Sequence, residues 1–390
     1  MLKSVLAALV LTTAIVGGGF QAAYGVAAST DPQPVLPGHR FTLKESVLAE
    51  RAERAAAAQN PLAGGPWGVY RGPWNGIYPA YQRAKGTNKA LLGKIALRPR
   101  VVWFTGNFST KAIGPAIANT IKAQQAEYGP NTLVQLALFR MWVGGENARG
   151  RALTAAQQTA YRQWIDAAVA AIGTARTAIV LEPDLGLAAI PNNAWEKRTK
   201  DAAVRLGLVR YAAQRLATLP RTSVYLDASD SDWLSLQKVV PLLVSAGIQY
   251  TRGFALGATH YTSVQANLAY GKAISDKLAA SGLADKHFVI DTADNGKPFT
   301  WAQNRAGKPS GNFDNAATCK SRTEVRCDTL GIPPTANVVD ARLHLTASQA
   351  QIAQQYADGY LWFGRPWLVN QASPFSLKRS LAVARTTPFE

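Results

Sequence analysis

Cysteine and histidine are scarce in this sequence, and acidic residues are outnumbered. Two cysteines in 390 residues exclude a disulfide-built scaffold, which needs far more. The four histidines, His39, His260, His287 and His344, stand far apart with no His-x-x-x-His or Cys/His spacing, so no metal site and no cofactor are predicted. No Gly-x-Ser-x-Gly elbow occurs, which removes the usual serine-hydrolase signature. No apolar run reaches the ~20 residues that span a bilayer, so stable membrane insertion is not expected. Asp and Glu number 24 against 42 Lys and Arg, a net charge of +18. Such a surface attracts anionic polymers. The basic residues are dispersed without an RNA- or DNA-binding motif, so nucleic acid is not predicted as a partner and the charge reads as a solvated surface, with an acidic envelope or polysaccharide as the functional option.

What is present is the composition of a folded protein. Hydrophobic residues make up 47% and charged residues 17%, which excludes a disordered chain. Lys3, the apolar run Val5 to Val16 and the small residues Gly25, Ala27 and Ala28 read as a secretory signal over residues 1–28, so the protein is expected to be secreted, in the periplasm or outside the cell. Residues 29–59 read as a leader with a short helix over Glu45 to Ala58. From Asn60 to residue 390 no linker appears, so a single catalytic-size domain, working as a monomer, is expected. In an oxidising compartment Cys319 and Cys327 are expected to pair and staple a loop.

Seven short apolar runs read as buried strands: Val101 to Thr105, Leu133 to Phe139, Ala178 to Leu181, Val224 to Leu226, Arg252 to Leu256, Phe288 to Ile290 and Tyr360 to Phe363. Helical patterns alternate with them, as over Thr154 to Ile172, Trp195 to Leu219, Trp233 to Ala246 and Val264 to Ala280. This alternation predicts a parallel sheet covered by helices, a complete or distorted β/α barrel. In such a barrel the C-terminal strand ends open on one face, where Ser109, Arg140, Asp184, Asp227, His260, Tyr261, Asp291, Asp294 and Arg365 would converge.

Two segments point to chemistry. In Ala178-Ile-Val-Leu-Glu-Pro-Asp184, Pro183 ends the strand, and Glu182 and Asp184 face the same way if extended geometry persists. One of such a pair stays protonated when repulsion and burial split the pKa values. The alternative is structural, with Glu182 paired to an Arg and Asp184 capping a helix. In Val224-Tyr-Leu-Asp227-Ala-Ser-Asp-Ser-Asp-Trp233, Tyr225 and Asp227 share a face, Asp232 is placed to cap a helix starting at Trp233, and Trp233 is either core or a sugar platform.

Ile179 to Asp184 resembles the Leu-Glu-Pro-Asp signature of glycoside hydrolase family 6, the inverting cellobiohydrolases and endoglucanases, and Tyr225 to Leu234 resembles that family's Leu-Asp-Ala-Gly-His-x-x-Trp-Leu segment. Asn60 to Gly64, Gly253 to Leu256, Phe288 to Thr292 with Asn295-Gly296, Tyr360 to Trp362 and Thr387 to Phe389 follow in the family's order. The resemblance implies a distorted seven-stranded parallel β/α barrel, hydrolysis of a β-1,4-glucan, Asp184 as general acid, Asp227 as a supporting aspartate and Trp233 as a glucosyl platform. It sets Trp103 at the family's tyrosine, Ser109 at its pKa-raising aspartate, His260 at an asparagine of the fifth-strand loop and Asn370 at the candidate base. An amide takes no proton. Water activation then passes to a chain through Ser109, Asp291 or Asp294, or the glycan differs and is possibly anionic, or the chain binds without turnover. Trp67, Trp74, Trp142, Trp301, Trp362 and Trp367 are further platform candidates. The segment between Trp362 and Pro374 is short and Gly296 to Arg326 is long, so one roof loop and an endo-acting cleft are expected.

Overall fold

The structure is a computed structural model and describes residues 60–190, 199–305 and 316–389. The signal, the leader with its Glu45 to Ala58 helix, and the start of the helix expected at Trp195 lie outside the described residues.

Seven strands form one parallel sheet in sequence order: β1 Val102–Thr105, β2 Val134–Phe139, β3 Thr177–Leu181, β4 Thr222–Asp227, β5 Gly253–Leu256, β6 His287–Asp291 and β7 Ala357–Leu361. The helices are α1 Ile77–Arg83, α2 Gly86–Ala96, α3 Thr110–Tyr128, α4 Ala155–Ile172, α5 Ala202–Leu216, α6 Leu236–Ala246, α7 Val264–Ala280, α8 Trp301–Arg305, α9 Ala347–Tyr356 and α10 Leu377–Thr386. Local chemistry fixes several starts. Thr154 and Gln157 close a capping box on α4, and Ser263 Oγ accepts from Ala266 N at 3.1 Å to start α7, each cap worth about 1 kcal/mol. The helix expected from Trp233 begins instead at Leu236, with Ser235 at its N-cap position.

Strand alternation sorts the core into two layers. Ala137, Val180, Tyr225, Ala255, Val289 and Leu361 fill the barrel interior. Phe104, Leu138, Leu181, Leu226, Phe254 and Phe288 face the helices. Burying each large apolar side chain contributes about 1.5–3 kcal/mol, so the helical jacket is held by its area against the sheet.

The barrel is distorted where β1 meets β7. The strands share no ladder; Val101 N donates to the Trp362 carbonyl at 2.9 Å and Trp103 Nε1 to the Phe363 carbonyl at 2.8 Å. Below this seam Asp358 on β7 ties three strands together. Its carboxylate accepts from Tyr225 Oη at 2.7 Å and from Arg252 Nε and Nη2 at 2.8 and 2.9 Å. These contacts hold the Asp358 pKa below its ordinary value against the opposing effect of burial.

Candidate active site at the C-terminal strand ends

The loop after β3 turns sharply. Glu182 and Asp184 both have positive φ, 52° and 65°, a region that non-glycine residues rarely adopt and that concentrates at functional sites. Extended geometry therefore stops at Leu181, and the two carboxyls do not share a face. Glu182 is fully buried and accepts from Arg140 N (2.9 Å), Met141 N (2.9 Å) and Tyr161 Oη (2.8 Å). It pins the end of β2. Burial raises its pKa to about 7 against the lowering effect of those donors. Asp184 occupies the N-cap position of the short turn Leu185–Ala189 without a side-chain capping bond. It is half-buried and acts electrostatically on Arg365.

Asp227 ends β4 with no exposure. The backbone N–H groups of Ser229 and Leu185 approach its carboxylate at a geometry short of a full hydrogen bond. Burial raises its pKa to about 7, outweighing the backbone N–H of Ser229, the charge of His260 and the backbone N–H of Leu185, which all lower it. Leu185 belongs to the turn that Asp184 starts, so the two aspartates flank one segment.

On the far side of the opening, Asp291 accepts four backbone donors: Thr259 N (3.2 Å), Ala293 N (3.0 Å), Phe363 N (3.3 Å) and Gly364 N (2.5 Å). It is a tie between the β5, β6 and β7 ends. Asp294 accepts from Gln371 Nε2 at 2.9 Å; burial, Asp328 and Asp291 push its pKa well above its ordinary value. Gly364 has no side chain for a steric reason: a Cβ there would lie 1.9 Å from Asp294 Oδ2 and 2.8 Å from Asp291 Oδ2.

Several expected site residues land elsewhere. Ser109 is exposed, and its Oγ caps α3 by accepting from Ala112 N at 3.2 Å. Asn370 is exposed, whereas its neighbour Gln371 is buried; it bonds Asp294 and accepts from Arg365 N. Trp362 is 1% exposed, packs in an apolar cluster with Leu92, Ile95 and Trp367, and donates to the Ile332 carbonyl. It is core and has no face for a sugar. Trp103 is half-buried and carries the Arg365 guanidinium over its ring. Trp74, Trp142 and Trp367 also belong to the core clusters.

Trp233, His260 and Trp301 do gather. The Trp233 and His260 rings are 5.7 Å apart. Asp232 Oδ2 accepts from Trp301 N at 2.5 Å, which replaces the capping role expected of Asp232. Trp301 is 40% exposed. His260 Nδ1 lies 3.1 Å from Asp230 Oδ2, and Asp230 also accepts from Ser231 N at 2.8 Å and from Thr262 Oγ1. Asp230 and Gln371 were not singled out from the sequence. Asp230 lies three residues from Asp227, which was a signal; Gln371 had none beyond its neighbour Asn370.

The Cys319–Cys327 disulfide is present, and no helix among the described residues is long and apolar enough to cross a membrane.

Residues 71–347 match the model of the glycosyl hydrolases family 6. Endoglucanase A of Cellulomonas fimi is 32% identical over 234 residues, 59% of this chain and 47% of that protein. Endoglucanase 1 of Streptomyces halstedii is 32% identical over 225 residues, covering 57% of this chain and 65% of its own length. The chain thus spans about half to two thirds of the length of these curated relatives. Among solved structures, the endoglucanase Cel6 from Mycobacterium tuberculosis, in complex with methyl-cellobiosyl-4-deoxy-4-thio-β-D-cellobioside, superposes with a TM-score of 0.63 at 28% identity, covering 84% of this chain and 99% of that one. The catalytic core of the cellobiohydrolase Cel6A from Chaetomium thermophilum shares the fold, with a TM-score of 0.61 at 17% identity over 84% of this chain and 98% of that one.

Proposed function

The chain belongs to glycosyl hydrolase family 6, and from that premise we propose that it cleaves β-1,4-glucosidic bonds within cellulose or a related β-glucan, with Asp184 as the general acid. One observation carries the assignment to Asp184. Of the carboxyls at the open end of the barrel, Glu182 and Asp291 are buried and tied to several donors, Asp294 is buried and bonded to Gln371, and Asp184 is the half-buried one on a strained turn. In this reading Asp184 gives its proton to the leaving glycosidic oxygen as the C1–O bond breaks, and a water adds to C1 from the opposite face, which inverts the anomeric centre. Asp227, protonated through much of the acidic range, keeps a second negative charge away from the departing oxygen.

Trp233 and the half-exposed Trp301 serve as sugar platforms, because an indole face suits the apolar face of a pyranose. Endo action is supported by the names of the matched relatives, which are endoglucanases. Secretion is supported by the disulfide, which persists in oxidising compartments.

A second reading is a β-glucan-binding protein with little turnover. It is favoured by one observation: Ser109 is a helix cap and Asp291 has both oxygens occupied, so two of the three groups expected to activate water are unsuited to it. Reducing-sugar release from carboxymethyl cellulose and mixed-linkage β-glucan separates the two. Release supports the hydrolase; cellulose pull-down without release from either polymer supports the binding protein.

A further inference from the structure

We propose that Asp230, Asp232 and His260 form a binding site for one divalent ion of the zinc type, set beside Trp233. The three side chains come from the loops after β4 and β5, and each offers one ligand atom, all within 4.8 Å of one another. In a tetrahedral site two ligands about 2.0–2.2 Å from one ion stand about 3.4 Å apart, so binding draws the widest pair together by up to about 1.4 Å. His260 and Asp230 are already at 3.1 Å, a spacing that two neighbouring ligands of one ion adopt.

The electrostatics of the loop call for a cation. Asp227, Asp230 and Asp232 lie within six residues of a protein with 18 surplus positive charges, and no salt bridge to Lys or Arg joins them among the described residues. Asp230 pairs with His260.

An independent observation lies in the same loop. Ser229 is 2% exposed and its Oγ has no hydrogen-bond partner. Ser231 Oγ and Asp232 Oδ1 are buried without partners beside it. Buried polar atoms are rarely left unsatisfied, and a local concentration of them marks a missing ligand.

The donor set selects the ion. One imidazole nitrogen with two carboxylate oxygens suits zinc better than calcium or magnesium, which prefer all-oxygen shells. Three protein ligands leave a fourth position for water, and the 11% exposure of the His260 side chain leaves a route from the cleft. A bound ion fixes the β4 and β5 loops against each other and with them the neighbouring Trp233 ring.

The test is titration of the purified, EDTA-treated full chain with zinc chloride alone, followed by calorimetry and by the thermal unfolding midpoint. The expected result is saturable one-to-one binding with a rise in the midpoint. Asp232→Asn and His260→Gln should each weaken that binding about tenfold or more, the scale of losing a metal-site group, while His344→Ala, outside the cluster, should retain it. His260→Gln keeps a polar side chain, so a folding failure in one variant leaves the other to decide. Absence of saturable binding in the parent, or unchanged binding in the folded variants, overturns the site. Sugar release is not the readout, so this result stands apart from that of the hydrolase assay.

Discussion

The guanidinium of Arg365 lies over the face of Trp103, 3.8 Å from the ring centroid. Trp103 stands in register with Ala137 on the barrel's inner layer, so the cation sits inside the opening and covers the ring. Asp184 is the foremost acid acting on Arg365, whose pKa burial lowers to about 10.

A cation beside an acid stabilises the acid's ionised form. Arg365→Ala should therefore move the alkaline limb of kcat/KM on β-glucan to higher pH. Arg365→Lys should not restore full stability, because stacking on Trp103 needs the planar guanidinium. A pH–rate profile that does not move in Arg365→Ala would separate the two groups functionally.

Asp358 bonds both Arg252 and Tyr225. Its side chain is 1% exposed and that of Arg252 23%. Removing one partner of a buried pair leaves the other charge uncompensated, so Asp358→Ala should cost about 3–5 kcal/mol in urea unfolding. A loss under about 1 kcal/mol would show that Arg252 finds solvent instead.

Burial raises Glu182, Asp227 and Asp291 to about 7. Their ordinary values lie near 4, so between about pH 4 and 7 the folded state holds protons that the unfolded state has lost. Stability from these groups is therefore complete below pH 4 and declines as pH rises toward 7. The depressed Asp358 acts oppositely: its contribution is present above its unfolded value and lost as pH falls through its folded one. The unfolding midpoint should fall between pH 5 and 8, and Glu182→Gln should flatten that slope. A midpoint that rises over this range would contradict the assignment.

The Cys319–Cys327 bridge spans a separation of eight residues. Closing so short a loop is worth about 2–3 kcal/mol by chain entropy, so the double Ser variant should lose that much stability in urea, without a matching fall in kcat. An equal collapse of kcat would mean that this loop shapes the cleft directly.

The strands were legible because buried parallel strands are continuous apolar runs, and all seven fall on or within a few residues of the expected positions. β7 is the least accurate, beginning at Ala357 rather than Tyr360, because Asp358 and Gly359 break the run. The site was legible only in part. Spacing could not reveal that Glu182 adopts positive φ and turns to the β2 end. Ser109 follows its strand and precedes a helix, and hydrogen bonding to Ala112 makes it a cap. Trp362 is buried by the packing of α2 and α10, which no local pattern announces. His260 and Asp230 meet across 30 residues, so separation along the chain could not exclude a shared ligand site.

Asp184 as proton donor is the central claim, and leaving-group dependence tests it most directly. Asp184→Asn should lose about 10²–10⁴-fold in kcat/KM on β-glucan, yet retain most of the parent rate on a 2,4-dinitrophenyl β-cellobioside, whose leaving group departs without a proton. An equal loss on both substrates, or undiminished release from β-glucan, would contradict the assignment of Asp184 as the general acid.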